Sequence, residues 1–248
     1  MVRVERHGRV CRIVLDRPER LNAFTGEDYR APRLAVEAAA ADQSVGAVVL
    51  TGAGRAFSAG ADRSLVDGTA SADARRQAAE EFPAVLAALD ACDLPVVVAV
   101  NGLAVGFGAT VLLHCDLVLV AESARLRFPF TALGIVPEAG SSALLPGRAP
   151  WGDAAWALLS SEWVDAEASL RLGVAWRVVA DERLESEVQA VAATLAALDR
   201  ASVTATKRLL VAGREDVVVS AMARELDAMA KLTAARRPDR PGGEGTQV

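Results

Sequence analysis

The chain has 248 residues, of which 52% are hydrophobic and only 4% aromatic, so it can form one α/β domain with a mostly aliphatic core. No apolar run reaches the roughly 18 residues of a membrane-spanning helix, and the N-terminus lacks the pattern of a signal peptide. The net charge is −5 and no basic stripe is interleaved with aromatic residues, which argues against nucleic acid as a partner. We therefore expect a soluble, cytoplasmic protein that binds neither membranes nor nucleic acids.

The first part of the chain predicts a β-hairpin followed by a capped helix. Residues 3–15 contain two short apolar-rich arms around a His-Gly turn. Residues 16–23 form a polar loop that contains a proline. Thr25 can then cap a helix that runs to about residue 41, with Asp28 in the position of the capping-box carboxylate.

Two apolar segments in the middle of the chain each lead into a loop rich in glycine. Residues 45–50 (VGAVVL) precede residues 51–62 (TGAGRAFSAGAD), and residues 96–100 (VVVAV) precede residues 101–108 (NGLAVGFG). Short runs that are apolar at nearly every position indicate strands covered on both faces. Residues 109–114 then predict a buried helix, at whose N-terminus free amides could hold an anion or a developing oxyanion.

A later turn contains an isolated carboxylate whose role the residues alone leave open. Pro137 and Gly140 fix the turn, and Ser141 or Ser142 can cap the helix that follows. Glu138 lies between them, with no other acidic residue nearby along the chain. It is either an exposed turn residue or a base that faces a pocket, and both interpretations stand at this point.

The remaining elements are mostly helical. Asp165 is expected to cap a short helix closed by Gly173. The other predicted elements are a helix over residues 71–93, strands over 117–120 and 174–179, and helices over 184–197, 202–212 and 216–235. Residues from 236 onward are rich in proline, glycine and polar residues, which favours a disordered tail.

The cysteines and histidines follow no pattern of a metal site. Cys11, Cys92 and Cys115 are far apart, and we interpret them as reduced, buried thiols. The two histidines are separated by most of the N-terminal half of the chain, which argues against a metal site built on both. We expect His7 to be a turn residue and His114 to be a hydrogen-bonded core residue.

Three motifs, in this order along the chain, resemble those of the crotonase (enoyl-CoA hydratase/isomerase) superfamily. Residues 17–23 (RPERLNA) resemble the family's CoA-side loop, residues 57–62 (FSAGAD) its first oxyanion-hole segment, and residues 101–108 (NGLAVGFG) its second. The resemblance covers about residues 3–235. It implies an α/β fold with a crotonase-like ββα spiral core and a C-terminal helical region.

The resemblance also implies how the chain is divided and assembled. Residues 1–190 are expected to form the spiral core domain, residues 191–235 a helical trimerisation region, and residues 236–248 the tail. Family members are usually trimers or dimers of trimers, so a homotrimer or a dimer of trimers is expected here. Because coenzyme A is part of the substrate in this family, no separate cofactor is expected.

Individual residues receive roles from the same resemblance. The backbone N–H groups of Ala59 and Phe107 are implied to form an oxyanion hole for a thioester oxygen, with the Phe107 ring turned away from it. An acyl-CoA thioester is implied to contact residues of the two loops and of an apolar pocket near Glu138: Arg20, Leu21, Asn22, Ala23, Ala59, Ala61, Asp62, Phe107, Phe130 and Leu133.

Departures from the family pattern narrow the expected reaction. Hydratases of the family carry two glutamates, and the matching positions here hold Thr110 and Phe130. The segment around Glu138 instead resembles the Δ3,Δ2-enoyl-CoA isomerase branch, whose single catalytic glutamate falls at this position. We therefore expect an enoyl-CoA isomerase of fatty acid metabolism, and the alternatives are a hydratase or another crotonase reaction, and a non-catalytic acyl-CoA binder.

Overall fold

The computed structural model describes residues 2–235, in which strands alternate with helices along most of the chain. The expected tail, from residue 236, lies outside the described residues. The strands are β1 Val2–His7, β2 Val10–Leu15, β3 Ala47–Gly52, β4 Ala56–Ser58, β5 Val96–Val100, β6 Leu103–Val105, β7 Leu117–Ala121, β8 Arg125–Arg127, β9 Trp163–Asp165 and β10 Arg177–Val179. The helices are α1 Gly26–Ala41, α2 Arg63–Val66, α3 Ala72–Ala91, α4 Phe107–Thr110, α5 Ser141–Leu144, α6 Trp151–Ser160, α7 Ala166–Arg171, α8 Leu184–Ala197, α9 Arg200–Ala212 and α10 Glu215–Ala235. Short 3₁₀ turns cover Pro18–Arg20, Val111–His114 and Asp181–Arg183.

The strands form two sheets that the chain visits in alternation. The larger sheet has the order β1-β2-β3-β5-β7-β10, and the smaller has the order β4-β6-β8-β9. Both are parallel except for the antiparallel pairs β1–β2 and β8–β9. Three times in succession, a long strand of the larger sheet is followed within a few residues by a short strand of the smaller one. This repeat confirms the expected α/β spiral.

The apolar runs of the sequence form the centre of the larger sheet, as predicted. Every residue of β5 is buried, and the adjoining residues of β3 and β7 are almost completely inaccessible as well. Parallel strands with helices on both faces need apolar side chains on both faces, which is why these runs do not alternate with polar residues. The rigid sheet therefore fixes the position of each loop that leaves its carboxyl edge.

The smaller sheet was not predicted from the sequence. Its strands have only three residues each, too few for an alternation of polar and apolar positions to be visible. Two of them, β4 and β6, lie inside the segments that were interpreted as glycine-rich loops. Pairing between β4 and β6 consequently brings the two predicted oxyanion-hole segments side by side.

The predicted N-terminal caps of α1 and α7 are confirmed. The Thr25 hydroxyl accepts the Asp28 N–H, and the Asp28 carboxylate accepts the Thr25 N–H, so the capping box of α1 is confirmed. Asp165 caps α7 through the Ala168 N–H, as predicted. No helix within residues 2–235 has the length and the apolar composition needed to cross a membrane.

Gly102, which lies between β5 and β6, should be intolerant of any side chain. A Cβ atom there would overlap the Arg55 carbonyl oxygen and lie 2.8 Å from the Arg55 carbonyl carbon. We expect Gly102→Ala to lower the free energy of unfolding by about 1 to 3 kcal/mol, measured by urea denaturation, because backbone would have to move. Gly152→Ala is the control, since a Cβ there meets nothing within 4 Å in helix α6, and it should be neutral or stabilising by up to about 1 kcal/mol. Equal stability of the two variants would contradict this account.

Candidate active site

The CoA-side loop and the first oxyanion-hole segment run alongside each other as paired backbone. Ala59 N–H donates to the Leu21 carbonyl at 2.9 Å, and Phe24 N–H donates to the Gly60 carbonyl at 2.8 Å. Asp62 N–H returns to the Phe24 carbonyl at 2.8 Å. The segment over residues 59–62 therefore has a fixed orientation, in which each amide points in a defined direction.

This pairing corrects the predicted role of Ala59. Its N–H is already used by the Leu21 carbonyl, so it cannot also bind a thioester oxygen. Gly60 N–H donates to the Ser58 hydroxyl at 3.0 Å. Within residues 2–235, no acceptor receives the N–H of Ala61 or that of Phe107. The candidate donors are therefore Ala61 and Phe107: the amide of Phe107, which was predicted as a donor, is free, and the other free amide lies two residues after the predicted Ala59.

Gly60 allows the two loops to approach closely. Its φ angle of +80° lies in the left-handed region, and a Cβ atom would overlap the Val105 carbonyl oxygen and lie 3.2 Å from the Phe107 nitrogen. The Phe107 amide is thus adjacent to the peptide that joins Gly60 to Ala61. Two unpartnered amides beside each other can accommodate a single oxygen atom that carries negative charge.

Glu138 lies on the segment between β8 and α5, and its side chain is mostly buried. The Thr110 hydroxyl donates to Glu138 Oε1 at 2.5 Å, which ties the carboxyl to the helix that begins with Phe107. The pKa of the Glu138 carboxyl is raised to about 8, mainly because burial penalises the charged form. The hydrogen bond from Thr110 opposes this shift, and the negative charge of Glu225 adds to it. Glu138 is therefore not an exposed turn residue, which excludes the first of the two interpretations of this position. Its side chain keeps some contact with solvent, so a ligand can still reach it.

The helix after Glu138 is not capped by Ser141 or Ser142, contrary to the prediction. Gly140 is the N-cap residue, and the Ser141 hydroxyl donates to the Glu138 carbonyl at 2.6 Å. The amides of Gly140 and Ser142 instead donate to the carboxylate of Glu225 on α10, at 2.8 and 2.9 Å. A side chain from the C-terminal helix therefore supplies the cap.

His114 holds the same turn from the opposite side. Its Nε2–H donates to the Ala139 carbonyl at 2.8 Å, and its Nδ1 lies 2.9 Å from Asp90 Oδ2. Asp90 in turn accepts from Arg214 at 3.2 Å. His114 is therefore a hydrogen-bonded core residue as predicted, and no sequence pattern indicated that its partner is the turn that carries Glu138.

Several predicted binding residues are buried or otherwise engaged. The Asn22 amide accepts from the Arg17 N–H and donates to the carbonyls of Ala53 and Ala56, so it links the CoA-side loop to the glycine-rich loop. Asn22 and Ala23 are both buried, so little of either residue is accessible to a ligand at the surface. The structure therefore gives Asn22 a scaffold role.

The other predicted contact residues differ in accessibility. Arg20 is exposed and Leu21 partly exposed, so both can reach a ligand at the surface. Asp62 caps α2 by accepting from Ser64 N–H at 3.1 Å. Phe130 is buried, whereas Leu133 is 46% exposed.

An aromatic cluster adjoins the candidate site and was not predicted. The Phe107 ring packs against Phe24, Tyr29 and Phe82, with centroid distances of 5.0, 4.9 and 5.3 Å. Burial raises the pKa of Tyr29 well above its usual value, and the negative charge of Glu138 adds to that shift, so this ring lies on the Glu138 side of the cluster. Four of the chain's few aromatic residues are thus gathered beside the candidate site.

Comparison with known proteins assigns the chain to a family. The family model for enoyl-CoA hydratase/isomerase matches residues 5–245. The probable enoyl-CoA hydratase of Rhodobacter capsulatus is 36% identical over 86% of this chain and 82% of its own length, and the 1,2-epoxyphenylacetyl-CoA isomerase of Escherichia coli K12 is 36% identical over 75% and 72%. The crystal structure of an enoyl-CoA hydratase/isomerase from Pseudoalteromonas atlantica superposes with a TM-score of 0.85 at 37% identity, over 94% of this chain and 91% of that one. The chain belongs to the enoyl-CoA hydratase/isomerase family, the crotonase superfamily.

Removing the Thr110 hydroxyl should change the pKa of Glu138. Thr110→Val removes the donor that stabilises the carboxylate, so the pKa of Glu138 should rise further above about 8. The pKa of Glu138 can be measured by an NMR titration of the protein labelled with ¹³C at the glutamate side-chain carboxyls. The Glu138 signal is the one that is missing from the spectrum of Glu138→Gln. Thr51→Val is the control, because the buried Thr51 hydroxyl donates to the Ala99 carbonyl and not to Glu138. An unchanged pKa in Thr110→Val would show that this bond does not act on the carboxylate.

Proposed function

We propose that the protein is an enoyl-CoA isomerase that shifts the double bond of a 3-enoyl-CoA to give the 2-trans-enoyl-CoA. The observation that carries this proposal is the mostly buried carboxyl of Glu138, whose pKa is raised to about 8. This carboxyl accepts a hydrogen bond from Thr110, on the short helix whose first residue, Phe107, has a free backbone amide. A general base of this pKa is well matched to reaction near neutral pH.

In the proposed mechanism one glutamate both removes and returns the proton. The Glu138 carboxylate takes a proton from C2, and the electron pair moves through the conjugated system onto the thioester oxygen. The amides of Ala61 and Phe107 bind that oxygen and stabilise the dienolate. Glu138 then gives the proton to C4, which leaves the double bond between C2 and C3. No proton, water or cofactor is consumed overall.

The positions where the family's hydratases carry glutamates support an isomerase over a hydratase. Thr110 is buried and donates its hydrogen bond to Glu138, and Phe130 is buried and apolar. The other carboxylate whose charge acts on Glu138, that of Glu225, is occupied by two backbone amides. Of the two carboxylates that these contacts bring together within residues 2–235, Glu138 is thus the one left to move protons. Hydration is the alternative that the hydratase names of several relatives favour, so it is tested directly.

Replacing the proposed base should separate the candidate functions. Glu138→Gln should lower kcat/KM for 3-hexenoyl-CoA isomerisation by about 10²-fold to 10⁴-fold, because general base catalysis is lost. The reaction is followed by absorbance and mass, and binding of the substrate is measured by calorimetry, where we expect little change. Wild-type conversion of crotonyl-CoA to a product heavier by one water would favour a hydratase. No activity in either protein, with intact binding, would favour a non-catalytic acyl-CoA binder.

The reassigned oxyanion hole can be tested by editing the backbone. Lactic acid incorporated at position 61 by nonsense suppression replaces the amide N–H of Ala61 with an ester oxygen. We expect kcat to fall by about 10²-fold to 10³-fold, the usual effect of removing one such donor. The same replacement at Ala59 removes only the bond to Leu21, so it should lower stability and leave kcat within a few-fold of the wild type. The reverse pattern would restore Ala59 as the donor.

One observation favours a second candidate, in which the acyl group carries a ring. The aromatic cluster of Phe24, Tyr29, Phe82 and Phe107 adjoins the site, and Phe82 is its partly exposed member. A flat ring in the acyl group could pack against Phe82. One relative carries the name of a 1,2-epoxyphenylacetyl-CoA isomerase. A phenyl-substituted 3-enoyl-CoA therefore belongs in the substrate panel, and a kcat/KM above that of 3-hexenoyl-CoA would support a ring-bearing substrate.

The proposal retains a homotrimer or a dimer of trimers as the expected assembly. Large apolar side chains are exposed on α6, with Trp151 77% and Leu159 70% accessible, and they support contact with another subunit. The acyl-CoA is the only small-molecule partner that the mechanism needs.

A further inference from the structure

We infer that Glu225, on the C-terminal helix α10, is a positioning residue that holds the turn carrying Glu138 in its working orientation. The inference rests on the proposed role of Glu138 as the base. It assigns part of the catalytic apparatus to a helix that contributes no side chain to the proposed oxyanion hole or to the CoA-side loop.

The contact between Glu225 and the turn is bidentate and buried. Oε2 accepts the Gly140 N–H at 2.8 Å and Oε1 accepts the Ser142 N–H at 2.9 Å, and only 7% of the residue is accessible. Hydrogen bonds to an ionised acceptor are about twice as strong as neutral ones, and two parallel bonds also fix direction. The carboxylate therefore sets both the position and the angle of the peptide that follows Ala139.

The turn needs an external constraint because its backbone is strained. Ala139 has a φ angle of +58° and Gly140 one of +68°, so two consecutive residues lie in the left-handed region. For a residue with a side chain this region is sterically disfavoured, so a free segment would favour another conformation. Val218 and Met222 of α10 lie against Gly140, at 3.4 and 3.6 Å from where its Cβ would be. The helix thus covers the turn with apolar side chains and binds it with one carboxylate.

Glu225 also acts on Glu138 through its charge. The groups that face the Glu138 carboxyl are the Thr110 hydroxyl from α4, the Tyr29 ring from α1 and the carboxylate of Glu225 from α10. The negative charge of Glu225 raises the pKa of Glu138, because it disfavours a second negative charge nearby.

The same turn is also held by a second set of side chains, which the test leaves in place. His114 donates to the Ala139 carbonyl and contacts Asp90, which pairs with Arg214 just before α10. Because these groups are unchanged in a Glu225 variant, a change in Glu138 can be attributed to the carboxylate that was removed.

The test compares Glu225→Gln with Asp227→Asn, which removes one charge from the same helix. Asp227 is 62% exposed and pairs with Lys231, so its loss should leave both kcat and the pH profile unchanged. In Glu225→Gln the NH₂ group of the side-chain amide would face one of the two backbone N–H groups. Two donors cannot bond to each other, so one of the two hydrogen bonds that hold the turn is lost. We expect kcat for 3-hexenoyl-CoA to fall at least about 10-fold with KM changed less than about 3-fold.

The pH profile provides a readout that a merely structural cap would not move. The rising acidic limb of kcat/KM reports the pKa of the free base, near 8 in the wild type. Glu225→Gln should shift this limb to lower pH by about 0.3 to 1 unit, since a charge that favours the protonated form is gone. If Glu225→Gln matches Asp227→Asn in kcat and in the position of the limb, the inference is wrong.

A second variant covers the case in which Glu225→Gln does not fold, as judged by circular dichroism. Glu225→Asp keeps the charge and withdraws the oxygens by one methylene, so kcat should fall while the limb stays near its wild-type position. Wild-type kcat in Glu225→Asp would overturn the inference. The proposed function is tested separately, because it fails if Glu138→Gln keeps full activity, whatever the Glu225 variants do.

Discussion

The site depends above all on the close approach of two backbone segments that leave no room for side chains between them. A Cβ at Gly60 would overlap the Val105 carbonyl oxygen, and one at Gly108 would lie 3.0 Å from the Ser58 carbonyl carbon. This approach is possible because β4 and β6 are paired in the smaller sheet, while β3 and β5 hold the preceding residues in the larger one. Two free amides consequently become neighbours without any flexible side chain, which suits preorganised electrostatic stabilisation.

The base is positioned in a different way, by side chains that are remote in sequence. Thr110 binds the carboxyl, His114 binds the Ala139 carbonyl, and Glu225 binds the amides that follow. The proposed oxyanion donors thus depend on local backbone pairing, whereas the proposed base depends on three side chains, of which Glu225 reaches the turn only when the C-terminal helix has packed. Disturbance of α10 should therefore affect proton transfer more than binding of the thioester oxygen.

The sequence allowed the framework to be predicted well and the details of the site only in part. The buried runs of β3, β5 and β7, the capping box at Thr25 and the cap at Asp165 were recognisable because each depends on residues close together in the chain. The three-residue strands escaped detection because they are too short to show a period. The free amide at Ala61, rather than at Ala59, is set by the register between residues 21–24 and 59–62, which no local pattern encodes.

The cap on α5 shows the same limit in another form. Ser141 and Ser142 have suitable chemistry for an N-cap, and local reasoning favours them. The structure uses Glu225 instead, more than eighty residues later in the chain. When a helix packs directly on a turn, its side chains compete with local ones for the free backbone amides of that turn. A single sequence does not show which side chain will bind them.

The main-chain origin of the oxyanion donors has a consequence for how such an enzyme can change its reaction over evolutionary time. A side-chain substitution cannot delete the N–H groups of Ala61 or Phe107 unless it introduces proline, so the proposed activation of a thioester would survive most substitutions at these two positions. Positions 110, 130 and 138 contribute side chains, which substitution can change. Gaining or losing a carboxylic acid there would change which reaction the proposed enolate undergoes. New activities can thus arise by small steps from an ancestor that already performs the harder half of the chemistry.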